Sequence, residues 1–225
     1  MENRKMTNLV DLALRCCENV SRVTSLGEIS GPQLFSNVEW DTEGFIGIYD
    51  DKLIVTFQGS NSSVDWKKVN FRFWKKIIPY NNVNPKILVH AGFINAYKSV
   101  RDFLLVQVKK SGLKEVWCFG HSLGGAMATL ASVDFQYNFP GLAVKVVTFG
   151  SPRVGNKAFL TSYSHRVPEN TRVVNGNDLV TRLPPKLFNY EHVGECLHVG
   201  DKYRWWKFWG SADHDLGKYK DNIQK

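Results

Sequence analysis

Residues 115–125 read EVWCFGHSLGG, and the passage from apolar run to glycines decides the fold. Glu115 to Phe119 has the β-branched and aromatic content of a short buried strand, while the residues from Leu123 to about Phe139 have helix-forming composition. Between them Gly120-His121-Ser122-Leu123-Gly124 matches G-x-S-x-G, the pattern in which a strand turns sharply into a helix and lifts a serine hydroxyl clear of the sheet edge. Glycines stand where a side chain would obstruct so tight a turn. An incidental serine in a Gly-rich connection is the plain alternative, and strand, turn and helix in this order argue against it.

Working outward, strands and helices alternate. Gly44 to Gly59 reads as a hairpin turning at Asp50-Asp51. Phe93, Tyr97, Val100, Leu104 and Val108 form a helical stripe that ends before Gly112. Val144–Phe149 is a strand, Lys157–His165 a helix and Thr171–Asn175 a strand. An amphipathic helix is expected over about residues 5–23, with Met6, Leu9, Val10, Ala13, Cys16, Cys17 and Val20 on its apolar side. Such alternation predicts an α/β fold with a mostly parallel central sheet and helices on both faces, in one domain over residues 1–225; the G-x-S-x-G turn at a strand end is what makes the expectation one of the α/β-hydrolase kind. Its chemistry gathers at the carboxyl ends of the strands.

The 225 residues carry 29 Lys and Arg against 21 Asp and Glu, a formal charge of +8, and 13% of them are aromatic. Composition excludes collagen, coiled coil and wholesale disorder. No run approaches the roughly 18 apolar residues of a membrane span, and Asp11 and Arg15 interrupt the only N-terminal stretch that resembles a signal peptide. Cys16, Cys17, Cys118 and Cys196 have neither disulfide-framework nor zinc spacing. They read as free thiols in a reducing compartment, which predicts an intracellular, cytoplasmic protein with peripheral membrane association and no metal or organic cofactor. The charge is local. Residues 61–80 hold Lys67, Lys68, Arg72, Lys75 and Lys76 against Asp65, a net +4, and residues 202–209 (KYRWWKFW) hold +3 with no acid. Those two segments contain five of the seven Trp. At helical spacing Trp66, Val69, Phe73 and Ile77 share one face of 61–80, opposite the cations, a pattern suited to an anionic lipid surface. None of the nucleic-acid recognition motifs is present, so a nucleic-acid partner is not expected.

A serine hydroxyl needs a base and an acid that orients the base. The chain order of this fold class puts the acid after the serine and the histidine after the acid. Asp178, just beyond the strand Thr171–Asn175, is placed to be the acid, and His192, His198 and His214 all remain candidates for the base.

Seven stretches resemble the class 3 lipases in order: TFQGSNSSVDW (56–66), VHAGF (89–93), GHSLGGA (120–126), TFGSPRVGN (148–156), NGNDLVTRLPP (175–185), YEHVGE (190–195) and HDLGKY (214–219). The resemblance implies Ser122 as nucleophile, Asp178 as acid and His214 as base, with His192 structural. It implies an oxyanion hole from Ser60 and the Leu123 amide, and a lid over about 61–80 that includes Trp66, Lys67, Lys68, Val69, Arg72 and Phe73. Gln58 departs from the pattern, which has Arg there. The implied activity is hydrolysis of lipid carboxylic esters at an interface: acylglycerols first, then phospholipid A1-type cleavage. A catalytically silent, lipase-like binding protein is the alternative.

Overall fold

The fold is described from a computed structural model, over residues 2–59, 75–77, 84, 86–201 and 212–224. Nine strands occur among these residues: β1 (Ser30–Asn37), β2 (Thr42–Tyr49), β3 (Lys52–Phe57), β4 (Lys75–Ile77), β5 (Leu88–His90), β6 (Glu115–His121), β7 (Ala143–Phe149), β8 (Glu169–Asn175) and β9 (Glu195–Val199). The helices are α1 (Glu2–Glu18), α2 (Ala91–Ser111), α3 (Leu123–Asn138), α4 (Lys157–Arg166) and α5 (Leu216–Ile223). Seven strands form one sheet in the order β1-β2-β3-β6-β7-β8-β9; β1, β2 and β3 pair antiparallel, and every pair from β3 to β9 is parallel. This is the mostly parallel sheet expected from the alternation.

Strand periodicity divides the interior into two layers. Leu53, Val55, Val116, Cys118, Val144 and Val146 join the cluster built with α2, α3 and α4, whereas Ile54, Phe119, Val147, Phe149 and Val173 face the cluster containing α1 residues and Tyr219 of α5. Helices therefore cover both faces, as alternating apolar side chains require. Helix α3 lies against the sheet with Leu123 to Phe135 buried without a break, which is why it shows helical composition and no amphipathic stripe.

The hairpin turn at Asp50-Asp51 has φ of 45° and 60° at its two central residues, the left-handed pair that suits the twist of a two-residue connection. Two strands escape a reading by pattern. Edge strand β1 contains Gly31-Pro32 and has a single buried residue, Phe35, and β9 has none. An edge strand presents one side to water, so its apolar alternation is weak. The expected helix near the N-terminus ends at Glu18 and gives way to a 3-10 turn, Val20–Ser25. The helical reading of 61–80 fails at its end: Lys75–Ile77 is strand β4, antiparallel to β5, because ladder hydrogen bonds from Leu88–His90 satisfy its backbone. Residues 60–74, including Ser60, Trp66, Lys67, Lys68, Val69, Arg72 and Phe73, lie outside the described residues, as do 202–211.

One buried ion pair locks α2 to α3. Asp134, with no solvent exposure, accepts from Tyr97 Oη (2.7 Å), Arg101 Nε (2.6 Å) and Arg101 Nη2 (3.1 Å). Replacing Arg101 with Met should lower unfolding free energy by about 3 kcal/mol, since it strands a buried carboxylate. Urea denaturation followed by fluorescence measures it; a loss below about 1 kcal/mol would show that Tyr97 and Asn138, which donates to Asp134 Oδ1 (2.9 Å), satisfy the carboxylate without Arg101.

Candidate active site

Ser122 stands at the point where β6 becomes α3. Its φ of 58° and ψ of −126° form a backbone conformation that a residue with a side chain adopts only under constraint. The constraint comes from both sides of the turn: the Ser122 amide donates to Phe149 O on β7 (2.9 Å), and a Cβ at Gly124 would run into the Phe57 carbonyl of β3. Bulk at 124 would push the turn off the sheet. Leu123 opens α3, and first-turn amides of a helix have no intrahelical acceptor, so its N–H stands beside the serine.

Asp178 follows β8 in a turn closed by its own amide on Asn175 O (3.0 Å), and its Oδ1 accepts from Val180 N (2.9 Å). His214 ends a 3-10 turn, Ala212–His214, just before α5. The structure brings all three together: His214 Nε2 lies 2.7 Å from Ser122 Oγ, and His214 Nδ1 lies 2.8 Å from Asp178 Oδ2. Ser122 and Asp178 are 3% and 1% exposed, so both ends of the line of hydrogen bonds are buried while His214 between them is partly open to solvent. The other two candidate bases are elsewhere. His192 Nε2 donates to Thr181 O (2.6 Å) and His198 Nε2 to Gly176 O (3.0 Å). Burial, reinforced by Arg172, pushes His192 down to about 3, so it stays neutral and holds a loop.

Several supporting residues are not assigned a role by the sequence, although Gly150, His121 and Tyr219 lie in the stretches that resemble the family. Tyr219, from the second turn of α5, donates from Oη to Asp178 Oδ2 (2.6 Å), and burial together with the Asp178 charge holds its phenol far above its ordinary value, so the proton stays on it. Gly150 has φ of 59°, and a Cβ there would sit 2.7 Å from Asp178 Oδ2 and 2.9 Å from His214 Nδ1. Only a residue without a side chain admits that hydrogen bond. His121 Nε2 donates to the backbone carbonyl of His214 (2.8 Å), and burial, then the nearby His214, pushes it down to about 4. Asp213 accepts from the Asn177 amide at Oδ2 and from Asn175 Nδ2 at its carbonyl, each at 2.9 Å. The loop of Asp178 and the turn of His214 are thereby tied together on both sides.

A cleft of about 680 Å³ opens beside His214, lined also by Gln58, Gly59 and His121. Gln58 sits in its wall, 3.5 Å from Ser21 Oγ. Among the described residues no group of His, Cys, Asp and Glu has the arrangement to hold a metal ion.

The family described as Lipase (class 3) matches residues 54–188, more than half of the chain. The chain belongs to the class 3 lipase family. A secreted mono- and diacylglycerol lipase of Malassezia globosa is 36% identical over 156 residues, covering 65% of this chain and 51% of that protein. The Rhizomucor miehei lipase in its propeptide complex superposes with a TM-score of 0.74 at 26% identity, over 88% of this chain and 69% of that one. A solved triacylglycerol lipase whose catalytic centre is formed by a serine protease triad gives 0.73 at 25% identity, over 89% and 80%. The chain thus has the α/β-hydrolase fold of these lipases, and it spans about half the length of the curated relatives it matches.

The expected intracellular setting is overturned: relatives from Malassezia globosa and Fusarium solani are named as secreted, which points outside the cell. The cysteine reading misled in part because two of the four thiols are governed by packing. Cys16 and Cys118 are sealed in the two cores, and burial pushes the Cys16 thiol up to about 12. Such thiols stay reduced in either compartment for want of access.

Tyr219→Phe removes a donor from the buried Asp178 at little cost in volume. It should lower kcat for ester hydrolysis about three- to tenfold with KM nearly constant. Steady-state kinetics on a soluble ester measures this; a loss confined to KM would place Tyr219 in substrate binding instead.

Proposed function

We propose that this class 3 lipase family member is a serine hydrolase that cleaves carboxylic esters of acylglycerols through an acyl-enzyme. The observation that carries the reading is the continuous line of hydrogen bonds from Ser122 Oγ through His214 to Asp178. Ser122 attacks the ester carbonyl while His214 Nε2 accepts its proton, and the buried Asp178 stabilises the imidazolium. As the tetrahedral intermediate collapses, His214 hands that proton to the departing alcohol. It then takes a proton from water, whose oxygen attacks the acyl group; as this second intermediate collapses, His214 returns the proton to Ser122 Oγ, which leaves as the free hydroxyl while the carboxylic acid is released. The Leu123 amide, with Ser60 by resemblance, stabilises the oxyanion, and one such donor is worth about 3 kcal/mol.

Substrate class rests on the relatives, named for mono- and diacylglycerols and for triacylglycerol. Residues 1–225 act as one α/β-hydrolase unit, a reading supported by two core layers that share one sheet. The basic, aromatic segment 61–80, with Trp66, Lys67, Lys68, Val69, Arg72 and Phe73, serves as a lid that seats the enzyme on an anionic lipid surface; its charge and that of 202–209 support this.

Ser122→Ala should abolish labelling by a fluorophosphonate probe and cut ester turnover by at least about 10⁴-fold. Labelling of the variant equal to the wild type would refute the assignment. Exchanging Lys67, Lys68, Arg72, Lys75 and Lys76 for Gln should weaken binding to anionic vesicles by at least about tenfold, with a much smaller loss on a short soluble ester. Equal losses in the two assays would remove the lid from the account.

A further inference from the structure

The cleft beside His214 has a wall of distinctive chemistry. Ser21 and Glu18 enter it from the end of α1 and the turn after it, Gln58 from the end of β3, and Asp215 from the start of α5. Because His214 delivers a proton to the departing oxygen, the alcohol part of an ester lies on this side of the site. The charged residues among the described lining are Glu18 and Asp215, both acidic. Glu18 is paired with Lys220 on α5 (3.0 Å), and Asp215 caps α5 through the Lys218 amide (3.3 Å). No cation of the described lining faces the cleft, in a protein whose formal charge is +8.

The neutral polar groups complement this. The Gln58 carboxamide offers two N–H donors and a carbonyl acceptor. Its contact with the Ser21 hydroxyl is 3.5 Å, at the outer limit of a hydrogen bond, so both groups gain from a closer partner. An alcohol hydroxyl both donates and accepts and matches the pair in each sense; a phosphate diester only accepts and carries a charge that Asp215 opposes, the Glu18 charge being already met by Lys220.

We infer that this cleft is the alcohol-side subsite, in which Gln58 and Ser21 read a free hydroxyl of a partial acylglycerol while Asp215 disfavours anionic headgroups. The inference rests on the acyl-enzyme reading above and adds its specificity determinants. It is compatible with a basic lid, because attraction to a charged surface acts over about a Debye length, near 8 Å at physiological salt, whereas headgroup selection occurs in contact.

The test compares kcat/KM for a monoacylglycerol, the p-nitrophenyl ester of the same fatty acid and phosphatidylglycerol, all dispersed in one neutral detergent. Wild type should prefer the monoacylglycerol to phosphatidylglycerol. Gln58→Leu and Ser21→Ala should each reduce monoacylglycerol turnover about three- to tenfold and reduce turnover of the p-nitrophenyl ester, which lacks the hydroxyl, by clearly less. Asp215→Asn, still able to cap α5, should raise turnover of phosphatidylglycerol. Equal losses on the two neutral esters, or phosphatidylglycerol accepted as readily as monoacylglycerol by the wild type, would overturn the subsite alone. Absence of all turnover together with absence of fluorophosphonate labelling would overturn the hydrolase reading and this one with it.

Discussion

A carboxylate sealed from water must be met by donors, and Asp178 imposes that demand on the site. Its oxygens are satisfied by His214, Tyr219 and the Val180 amide, from segments that reach 41 residues along the chain. Left unpaired in the interior, such a charge would cost several kcal/mol. Satisfying it fixes the position of α5, the turn before it and the loop after β8. The proposed base is thus held by the same bonds that make the buried acid tolerable, so stability and catalytic geometry share one cause.

The second constraint is steric. Ser122 holds a backbone conformation that few side-chain-bearing residues adopt, and it holds it because β7 accepts its amide and β3 presses against Gly124. Gly150 plays the matching part on the opposite side, where Asp178 and His214 meet with no room for a Cβ. The elbow is rigid because three parallel strands, β3, β6 and β7, deliver their carboxyl ends to one place. Chemistry that gathers at strand ends depends on that convergence, which bond geometry in the loops alone would not produce.

Legibility in the sequence followed burial. Strands β6, β7 and β8 and helices α2 and α4 could be read from apolar runs and stripes, because each is packed on at least one side and selection by packing leaves a periodic trace. Edge strands β1 and β9 leave little trace, since half of each faces water, and β4 is a strand only because β5 lies beside it. The thiols led to the wrong compartment for a related reason: the burial of Cys16 and Cys118 mimics the signature of a reducing environment. Ser122 was legible because its turn needs particular residues at fixed spacing, whereas Tyr219, Asp213 and His121 act through contacts with residues distant in sequence, so that even where a matching stretch includes them, as for His121 and Tyr219, it does not give their roles.

By itself the sequence determined the alternation of strands and helices, the strand-to-helix elbow at Ser122 and the concentration of charge and tryptophan in two segments, because local backbone geometry and composition carry those features. Three histidines remained candidates for the base on spacing alone. Only the tertiary structure decided that His214 reaches both Ser122 and Asp178 while His192 and His198 bond to backbone carbonyls. The physical reason is distance: a hydrogen bond of 2.7 Å across 92 residues is set by how the sheet is ordered, and the order of strands is a property of the whole chain.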